Sequence, residues 1–404
     1  MYRTAARILS LSLTVALGPT PLFADEVVDD WPQYRGPERD GVSRASGILD
    51  SWPEDGPAEV WRHPLGSGFS GLTVSGGGLY TMMAGDDKEY ACAFDAATGE
   101  ERWRVAVGNR FVSDFGDGPR STPAVAGGLA FFLSSNGQLT ALATADGGQS
   151  WSLDLKQNFG SILPQHGFST APMIEGDLLV IEVGGGRGKA YAALDPKDGS
   201  SRWTTLDGVP TYTSPIAVTF AGERQLISLG DHQIFSLRPG GELAWSHPWQ
   251  GGIAMPIFVA PDKLFVSTGH GSMLVELAKE ADGVTVSQVW QSNEMKNHFN
   301  SSVVHDGTVY GFDNAILKAV SLETGKRAWA KRGFGKGSLI VADGDLIVLG
   351  ERGLLVLAEA SPEGFDEKGR VRALDDKCWT SPTLAGGRLY LRSLSEMVSY
   401  DLRG

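Results

Sequence analysis

Cysteines and basic residues are scarce in this 404-residue sequence, and each shortage excludes a class of protein. The two cysteines, Cys92 and Cys378, are far apart, so the sequence has neither a C-x-x-C zinc motif nor a C-x-x-C-H haem attachment. The 48 Asp and Glu outnumber the 35 Lys and Arg, and the net charge of -13 argues against nucleic-acid binding, which needs a basic surface. The seven histidines have no zinc-ligand spacing. We therefore expect neither a nucleic-acid partner nor a metal site.

Long apolar runs are also lacking, and the one at the start has the order of a targeting segment. Arg3 and Arg7 precede the apolar stretch 8–17, and a proline-containing break then leads to Ala24. This order is typical of a secretory signal peptide, and the stretch is shorter than the roughly 18 apolar residues of a membrane span. The sequence predicts a signal peptide at 1–24, with a retained membrane anchor as the alternative. The mature protein is expected to have no integral membrane segment and to be periplasmic or secreted.

Glycine and tryptophan, in contrast, are abundant. The 53 Gly and 20 Pro leave little room for long helices. Seven of the 11 tryptophans recur about every 45 residues, a period that indicates a propeller or another repeat architecture. These tryptophans are Trp61, Trp103, Trp151, Trp203, Trp245, Trp290 and Trp329.

Several of these tryptophans end a similar phrase with a glycine four residues before the indole. That glycine suits the positive-φ position of a tight hairpin between two strands. Upstream of each phrase, a polar-Pro-apolar start and a β-rich run also recur, so each unit is predicted to form four short strands. The phrases are AFDAATGEERW (93–103), ALATADGGQSW (141–151), ALDPKDGSSRW (193–203), SLRPGGELAW (236–245) and AVSLETGKRAW (319–329).

The number of units predicts the topology. Six Trp-to-Trp intervals give six units, and the segment from 329 to Arg372 gives a seventh that lacks its tryptophan. The remaining residues are one strand short, and the segment 58–62 can supply that strand. We predict an all-β, eight-bladed β-propeller of four-stranded antiparallel blades at 58–404. Its ring closes by pairing of the N-terminal and C-terminal strands, and a lead-in segment at 25–57 precedes it.

The phrase A-x-D-x-x-T-G-x-x-x-W, complete in residues 93–103, resembles the tryptophan-docking motif of quinoprotein alcohol dehydrogenases and their relatives. The chain is similar to PQQ-like eight-bladed propellers, where PQQ is pyrroloquinoline quinone. The family has cofactor-using dehydrogenases and non-enzymatic propellers such as the BamB lipoprotein of the barrel-assembly machinery. The chain lacks the adjacent cysteine pair of the former and the lipidated cysteine of the latter. The resemblance implies tryptophans that dock between neighbouring blades, here Trp103, Trp151, Trp203, Trp245 and Trp329.

Candidate ligand-binding residues lie in polar loops and turns that a propeller would gather at one face. Loops between the last strand of one unit and the first strand of the next are long and polar, for example 108–120 and 156–168. Trp379, at the start of the last inner strand, is expected to offer a stacking surface in the central funnel. The funnel candidates are Arg120, His166, Asp231, His270, Asn300, Asp313 and Trp379.

We predict a monomeric, exported binding or scaffold module that takes a small polar ligand in the funnel or a protein partner on its rim. The alternative is a PQQ-dependent oxidoreductase of alcohols or sugars, with calcium. In that enzyme Trp379 would stack on the quinone and Arg120 would pair with its carboxylates. Asp231 or Asp313 would be the general base. The missing adjacent cysteines and haem motif favour binding. Cys92 and Cys378 are expected either to form a disulfide between neighbouring blades or to remain buried free thiols.

Overall fold

The computed structural model describes residues 30–404, which form a ring of eight antiparallel sheets. Each sheet has four strands, and one sheet carries a short fifth strand in addition. The prediction of an eight-bladed all-β propeller is therefore confirmed. The predicted signal peptide at 1–24 lies outside the described residues. No helix in the part of the chain that the structure describes is long and apolar enough to cross a membrane.

The strands are numbered in chain order, and those of a blade are called A to D from the axis outwards. Two strands precede blade 1: β1 (Val42–Ser43) and β2 (Ala58–Pro64). Blade 1 consists of β3 (Thr73–Ser75), β4 (Gly78–Ala84), β5 (Lys88–Asp95) and β6 (Glu101–Asn109), and blade 2 of β7 (Ala124–Ala126), β8 (Leu129–Leu133), β9 (Gln138–Ala143) and β10 (Gln149–Asp154). Blade 3 consists of β11 (Met173–Glu175), β12 (Leu178–Gly185), β13 (Lys189–Leu194) and β14 (Ser201–Thr205), and blade 4 of β15 (Ile216–Phe220), β16 (Glu223–Leu229), β17 (Gln233–Leu237) and β18 (Leu243–Pro248).

The second half of the ring continues in the same order, and the short helix α1 (Leu155–Phe159) follows blade 2. Blade 5 consists of β19 (Ile257–Val259), β20 (Lys263–Thr268), β21 (Gly271–Glu280) and β22 (Gly283–Ser292), and blade 6 of β23 (Val303–His305), β24 (Thr308–Asp313), β25 (Ile316–Ser321) and β26 (Arg327–Lys331). Blade 7 consists of β27 (Ser338–Ala342), β28 (Asp345–Leu349), β29 (Leu354–Glu359) and β30 (Glu367–Arg372). Blade 8 consists of β31 (Thr383–Ala385), β32 (Arg388–Arg392) and β33 (Glu396–Asp401), with β2 as its outermost strand.

Blade 8 combines strands from both ends of the propeller. β2 pairs antiparallel with β33, with Trp61 opposite Ser399, and β33 in turn pairs with β32. The predicted ring closure is confirmed. It matters energetically because it removes an unpaired strand edge that would otherwise invite aggregation.

The repeated tryptophan joins one blade to the next. Nε1 of Trp103 donates to the Thr144 carbonyl of blade 2 at 3.0 Å, and Nε1 of Trp151 donates to the Pro196 carbonyl of blade 3 at 2.8 Å. The phrase glycine of the next blade lies on the indole, since a Cβ at Gly147 would be 2.9 Å from Trp103. Gly147 also has a φ of 73°, so this turn requires glycine for two reasons. Equivalent Nε1 bonds to the next blade are made by Trp61, Trp203, Trp290 and Trp329.

Trp245 departs from this hydrogen-bonding pattern. Its Nε1 donates at 2.8 Å to Oε1 of Gln225, which belongs to the same blade. The next blade has a long β21–β22 hairpin in place of the short glycine turn. Trp245 nevertheless lies in an apolar cluster that includes residues of both blades, such as Leu229 of blade 4 and Val266 of blade 5. Its packing thus joins the two blades while its polar atom does not.

Blade 7 has a glycine where the other blades have their tryptophan. Gly369 pairs with Leu357 in blade 7 as Trp103 pairs with Ala93 in blade 1, so Gly369 occupies the position of the tryptophan. The spacing of the repeat predicts the end of this unit at Arg372, three residues later. The lead-in segment supplies an indole at this point. Trp52 is buried, and a Cβ at Gly369 would be 2.6 Å from the Cβ of Trp52. A residue far away in the sequence therefore fills the position that the repeat leaves empty.

The lead-in segment also passes through the centre of the ring, which the sequence did not reveal. Backbone atoms of residues 31–48 bond to the inner strands of several blades and then to the end of the chain. The contacts are a bridge from Trp31 to Val74, a bond from the Val125 N–H to the Pro32 carbonyl, the parallel pairing of β1 with β27, and a bridge from Ile48 to Arg403.

Two buried arginines hold this segment in the ring. Nε of Arg39 donates to the Pro215 carbonyl at 2.8 Å, and Nη2 of Arg35 donates to the Ser302 carbonyl at 2.6 Å. Both arginines have left-handed φ values, 59° for Arg39 and 66° for Arg35, which non-glycine residues adopt only where other contacts compensate for the strain. Burial lowers the pKa of Arg39 to about 9, because removal from water penalises the charged form.

Cys92 and Cys378 are both buried and both free. Of the two expectations for this pair, buried thiols are therefore observed and the disulfide is not. Burial raises the pKa of each thiol to about 12, so neither is a thiolate near neutral pH.

Trp151→Ala is expected to lower the free energy of unfolding by roughly 3–5 kcal/mol, as large-to-small changes in a core do, because the indole is buried between blades 2 and 3. Trp379→Ala should cost much less, because that indole is only half-buried. Urea unfolding of both variants measures the two losses. Similar losses would show that Trp151 has no special role in joining the blades.

Arg39→Ala is expected to lower the free energy of unfolding by about 1–3 kcal/mol, because it leaves buried carbonyls without their donor. It should also release residues 30–48 to limited proteolysis, followed by mass spectrometry. Arg44→Ala is the matched control, since Arg44 is an exposed arginine of the same segment. Equal protease resistance of both variants would contradict the assignment of Arg39 as an anchor.

Candidate binding funnel

A cavity of about 320 Å³ opens at the face of the ring where the D–A loops meet. A D–A loop joins the outermost strand of a blade to the innermost strand of the next, and all eight of these loops contribute to the wall. Tyr34 of the lead-in segment closes the cavity from the side of the channel. The cavity is therefore a funnel with a floor.

One wall of the funnel is aromatic. The Trp379 ring lies 5.4 Å from the Phe69 ring at an interplanar angle of 27°, and 4.7 Å from the Phe299 ring. Nε1 of Trp379 donates to Oε1 of Glu351 at 2.9 Å, which holds the indole in place. Nζ of Lys377 lies 4.4 Å from the centre of the same indole, within the range of a cation–π contact.

Arg120 is a cation of the funnel wall that its own loop holds in place. Its Nη1 and Nη2 donate to the carbonyls of Gly118 and Gly116 at 2.6 and 2.7 Å. The guanidinium carbon lies 5.5 Å from the Phe69 ring and 5.2 Å from the Phe111 ring. Burial lowers the pKa of Arg120, although nearby Glu89 counteracts the effect. The loop thus orients the guanidinium before any ligand arrives.

Polar groups complete the wall. The His166 ring makes an edge contact with Phe115 at 5.1 Å, and the buried Asn300 donates from Nδ2 to the Gly337 carbonyl at 2.8 Å. Burial lowers the pKa of His298, with a smaller contribution from Lys336. Among residues 30–404, the wall includes two formal cations, Arg120 and Lys336, but no Asp or Glu. A funnel without carboxylates in a chain of net charge -13 is suited to an anion.

Four of the seven sequence candidates lie in this wall: Arg120, His166, Asn300 and Trp379. The other three do not. Asp231 lines a separate crevice, His270 is exposed on the turn between β20 and β21, and Asp313 pairs with Lys318 at 2.6 Å. Asp231 and His270 follow strand B of their blades and Asp313 is the last residue of one. The B–C turns are farther from the axis than the loops that enter strand A. Sequence patterns alone offer no reason to prefer one kind of loop over the other.

Sequence reasoning missed Tyr34, Phe69, Phe299 and Lys336. Three of them lie within D–A loops, so their position just before an inner strand was a usable signal. Tyr34 had no such signal, because it belongs to the lead-in segment.

Comparison with known proteins agrees with this architecture. The family described as outer membrane protein assembly factor BamB matches residues 47–205 and 161–331. Together these two matches cover well over half of this chain. The chain belongs to this family of PQQ-like β-propellers. The family resemblance drawn from the tryptophan phrases is thereby confirmed.

Two BamB proteins are similar to this chain at low identity. The BamB protein of Yersinia pestis is 25% identical over 195 residues, which cover 44% of this chain and 45% of that protein. The match thus spans less than half the length of the curated relative. The crystal structure of BamB from Moraxella catarrhalis has a TM-score of 0.60 at 15% identity, covering 85% of this chain and 99% of that one.

A quinohemoprotein alcohol dehydrogenase from Comamonas testosteroni is similar in fold as well. Its TM-score is 0.68 at 13% identity, with 93% of this chain and 81% of that chain covered. Identities this low show the fold alone, so both branches of the family share the ring seen here.

The funnel residues do not fit a calcium–quinone pair. Trp379 and Arg120 would suit a flat ring and its carboxylates, but calcium needs several oxygen ligands, commonly from Asp and Glu. None of the described residues that line the funnel is Asp or Glu, and the nearby Oε1 of Glu351 accepts from Nε1 of Trp379. The described residues also contain no group of three His, Cys, Asp or Glu side chains able to hold a metal ion. Asp231 and Asp313, the candidate general bases, both lie outside the wall. We therefore derive no redox step for this BamB-type propeller.

A second cavity, of about 580 Å³, lies between blades 3 and 4 and is called the blade 3–4 crevice. Glu182 of β12 lies in its wall and is only 3% exposed. Oε1 of Glu182 accepts from the backbone N–H and the hydroxyl of Thr211 at 3.0 and 2.7 Å. Oε2 has no hydrogen-bond partner. Burial raises the pKa of Glu182 to about 8, because the charged form is poorly solvated there.

Glu182→Gln is expected to change the pH dependence of stability. In the folded protein Glu182 keeps its proton up to about pH 8, whereas in the unfolded chain it ionises near 4.5, so wild-type stability falls as pH rises through this interval. Glutamine cannot ionise. The variant should match the wild type at pH 5 and be more stable at pH 9, by up to about 4–5 kcal/mol.

Urea unfolding between pH 5 and 9 measures this difference. The matched control is Glu100→Gln, which changes an exposed glutamate of blade 1 and should show no such divergence. Parallel pH profiles of the wild type and Glu182→Gln would contradict the raised pKa.

Proposed function

We propose that this protein is a non-catalytic binding scaffold whose funnel takes an anionic ligand with a flat or apolar body. The observation that carries the proposal is the composition of the wall: Arg120 and Lys336 beside Trp379, Phe69 and Phe299, with no Asp or Glu among the described lining residues. A carboxylate or phosphate would meet cations, while its apolar part would contact aromatic rings.

The geometry of Arg120 supports this ligand class. A guanidinium has five N–H donors, and only two of its nitrogens donate to the carbonyls of Gly116 and Gly118. The remaining donors are available to an incoming anion. Because the group is already oriented by its loop and by two aromatic rings, little side-chain entropy is lost when an anion binds. The cavity volume is at the low end of small-molecule sites.

A protein partner on the same face is the second candidate. Of the eight large apolar side chains that are exposed in residues 30–404, five lie in the D–A loops after blades 1, 2 and 3. Grouped exposed apolar side chains are typical of interaction surfaces. A partner that covers this rim could insert an acidic side chain into the funnel. The five are Val112, Phe115, Ile162, Leu163 and Val209.

We further propose that the mature protein acts outside the cytoplasm, in the periplasm or after secretion. The supporting observations are the signal-like order of residues 1–24 and the description of the matched family as an outer membrane assembly factor. The domain division at 24 and 57 belongs to the same proposal.

Arg120→Ala is expected to weaken binding of 2-naphthoate at least tenfold. The reason is the loss of charge-assisted hydrogen bonds, each worth about 1.5–3 kcal/mol, where about 1.4 kcal/mol is a factor of ten. Lys336→Ala should weaken binding by a smaller factor. Isothermal titration calorimetry measures both, with 2-naphthylmethanol as the neutral probe of the same shape.

Lys326→Ala is the matched control, because Lys326 is an exposed lysine remote from the funnel. Circular dichroism checks that Arg120→Ala keeps its fold, since the arginine also bonds its own loop. Equal binding of the naphthoate and the neutral alcohol, or an unchanged affinity in both funnel variants, would overturn the proposed function.

A further inference from the structure

The wall of the blade 3–4 crevice has the opposite charge to the funnel. Its ionisable side chains are Glu182, Asp207, Asp231, Tyr191 and His232, and neither Lys nor Arg lies among the described residues that line it. Tyr191 and Phe235 contribute aromatic rings 5.0 Å apart. Carboxylates beside aromatic rings are the chemistry that recognises an organic cation.

Glu182 provides a second and independent observation. It is a carboxyl group in the wall of the crevice, almost fully buried, and one of its oxygens lacks a partner. Another buried carboxylate, Asp345, shows the usual solution, since it accepts from Nζ of Lys368 at 2.7 Å. A buried polar atom without a partner costs free energy, so a donor brought by a ligand would remove that cost.

We propose that the blade 3–4 crevice binds a small organic cation, a primary amine on an apolar body, with Oε2 of Glu182 as the acceptor of its ammonium group. The amine carbon chain lies against Tyr191 and Phe235, and the exposed side chains of Ile162 and Val209 line the entrance. This site is separate from the funnel and does not depend on the function proposed for it.

An organic cation suits this crevice better than a metal ion. Across residues 30–404, no three His, Cys, Asp or Glu side chains are grouped closely enough to hold a metal ion. An ammonium group needs fewer oxygen ligands, because it donates only three hydrogen bonds.

Binding of the amine couples to a proton. Below pH 8 Glu182 is largely protonated, so the ammonium group displaces that proton when it binds and the carboxylate takes up its hydrogen bond. The net reaction at pH 7 is binding of one ammonium ion and release of close to one proton to the buffer. Tyr191 on β13 is the ionisable group in contact with Glu182, since its hydroxyl donates to Oε1 at 3.4 Å. The other ionisable groups of the crevice wall are Asp207 after β14, and Asp231 and His232 on the turn between β16 and β17.

The test is calorimetric titration of the full chain with 2-phenylethylamine at pH 7, in two buffers of different protonation enthalpy. We expect 2-phenylethanol and 3-phenylpropionate, which lack the positive charge, to bind at least tenfold more weakly than the amine. Glu182→Gln should weaken the amine at least tenfold and abolish the proton release. Glu100→Gln, the matched control at an exposed glutamate, should bind the amine like the wild type.

Several outcomes would overturn the proposal. They are equal binding of the amine and the alcohol, amine binding by the wild type without proton release, and unchanged amine affinity in Glu182→Gln. Binding of a lysine-containing peptide with no binding of the free amine would also overturn it, in favour of a protein partner. If Glu182→Gln does not fold, the wild type still tests the proposal, because amine binding at pH 7 must release close to one proton.

Discussion

The rest of this structure depends on the contact between an indole of one blade and a glycine turn of the next. In five of these contacts, those of Trp61, Trp103, Trp151, Trp203 and Trp290, the indole lies on a positive-φ glycine of the next blade and donates to a carbonyl near that turn. A four-stranded sheet cannot bury its faces alone, so the repeated contact sets how one blade sits on its neighbour. Where the repeat fails, at Gly369, an indole from outside the repeat takes its place. This regular packing brings eight D–A loops to one face.

The centre of an eight-bladed ring leaves a channel, and the lead-in segment fills it. Its two buried arginines, Arg35 and Arg39, donate hydrogen bonds to backbone carbonyls at the start of inner strands. Neither guanidinium is hydrogen-bonded to a carboxylate in residues 30–404, so the carbonyl dipoles stabilise the two buried charges. The segment changes the nature of the site, because Tyr34 closes what would otherwise be an open passage. A ligand in the funnel meets a wall of loops and a floor contributed by the start of the described chain.

Two cavities of opposite charge share the same acidic protein. The funnel presents Arg120 and Lys336, while the blade 3–4 crevice presents three carboxylic acids, one of which is held protonated by burial up to about pH 8. Net charge therefore predicts neither site, since each depends on which few side chains face a space from which water is partly excluded.

The sequence by itself determined the strands and the repeat, because alternating apolar residues, the glycine turns and the spaced tryptophans act over short distances along the chain. It also determined the closure of the ring, because the count of units leaves the last blade one strand short. It also placed Arg120, His166, Asn300 and Trp379 in loops that lead into inner strands, and all four lie in the wall of the cavity. Only the tertiary structure decided that Asp231, His270 and Asp313 lie away from the funnel, that Trp52 packs on Gly369, and that Tyr34 forms the floor. In the sequence, Glu182 is indistinguishable from any other residue of a strand. Only the tertiary structure shows that it is buried beside Thr211, which belongs to a distant loop. Local patterns specify strands and turns, whereas cavity walls are made of residues from distant segments whose proximity is set by the packing of whole blades.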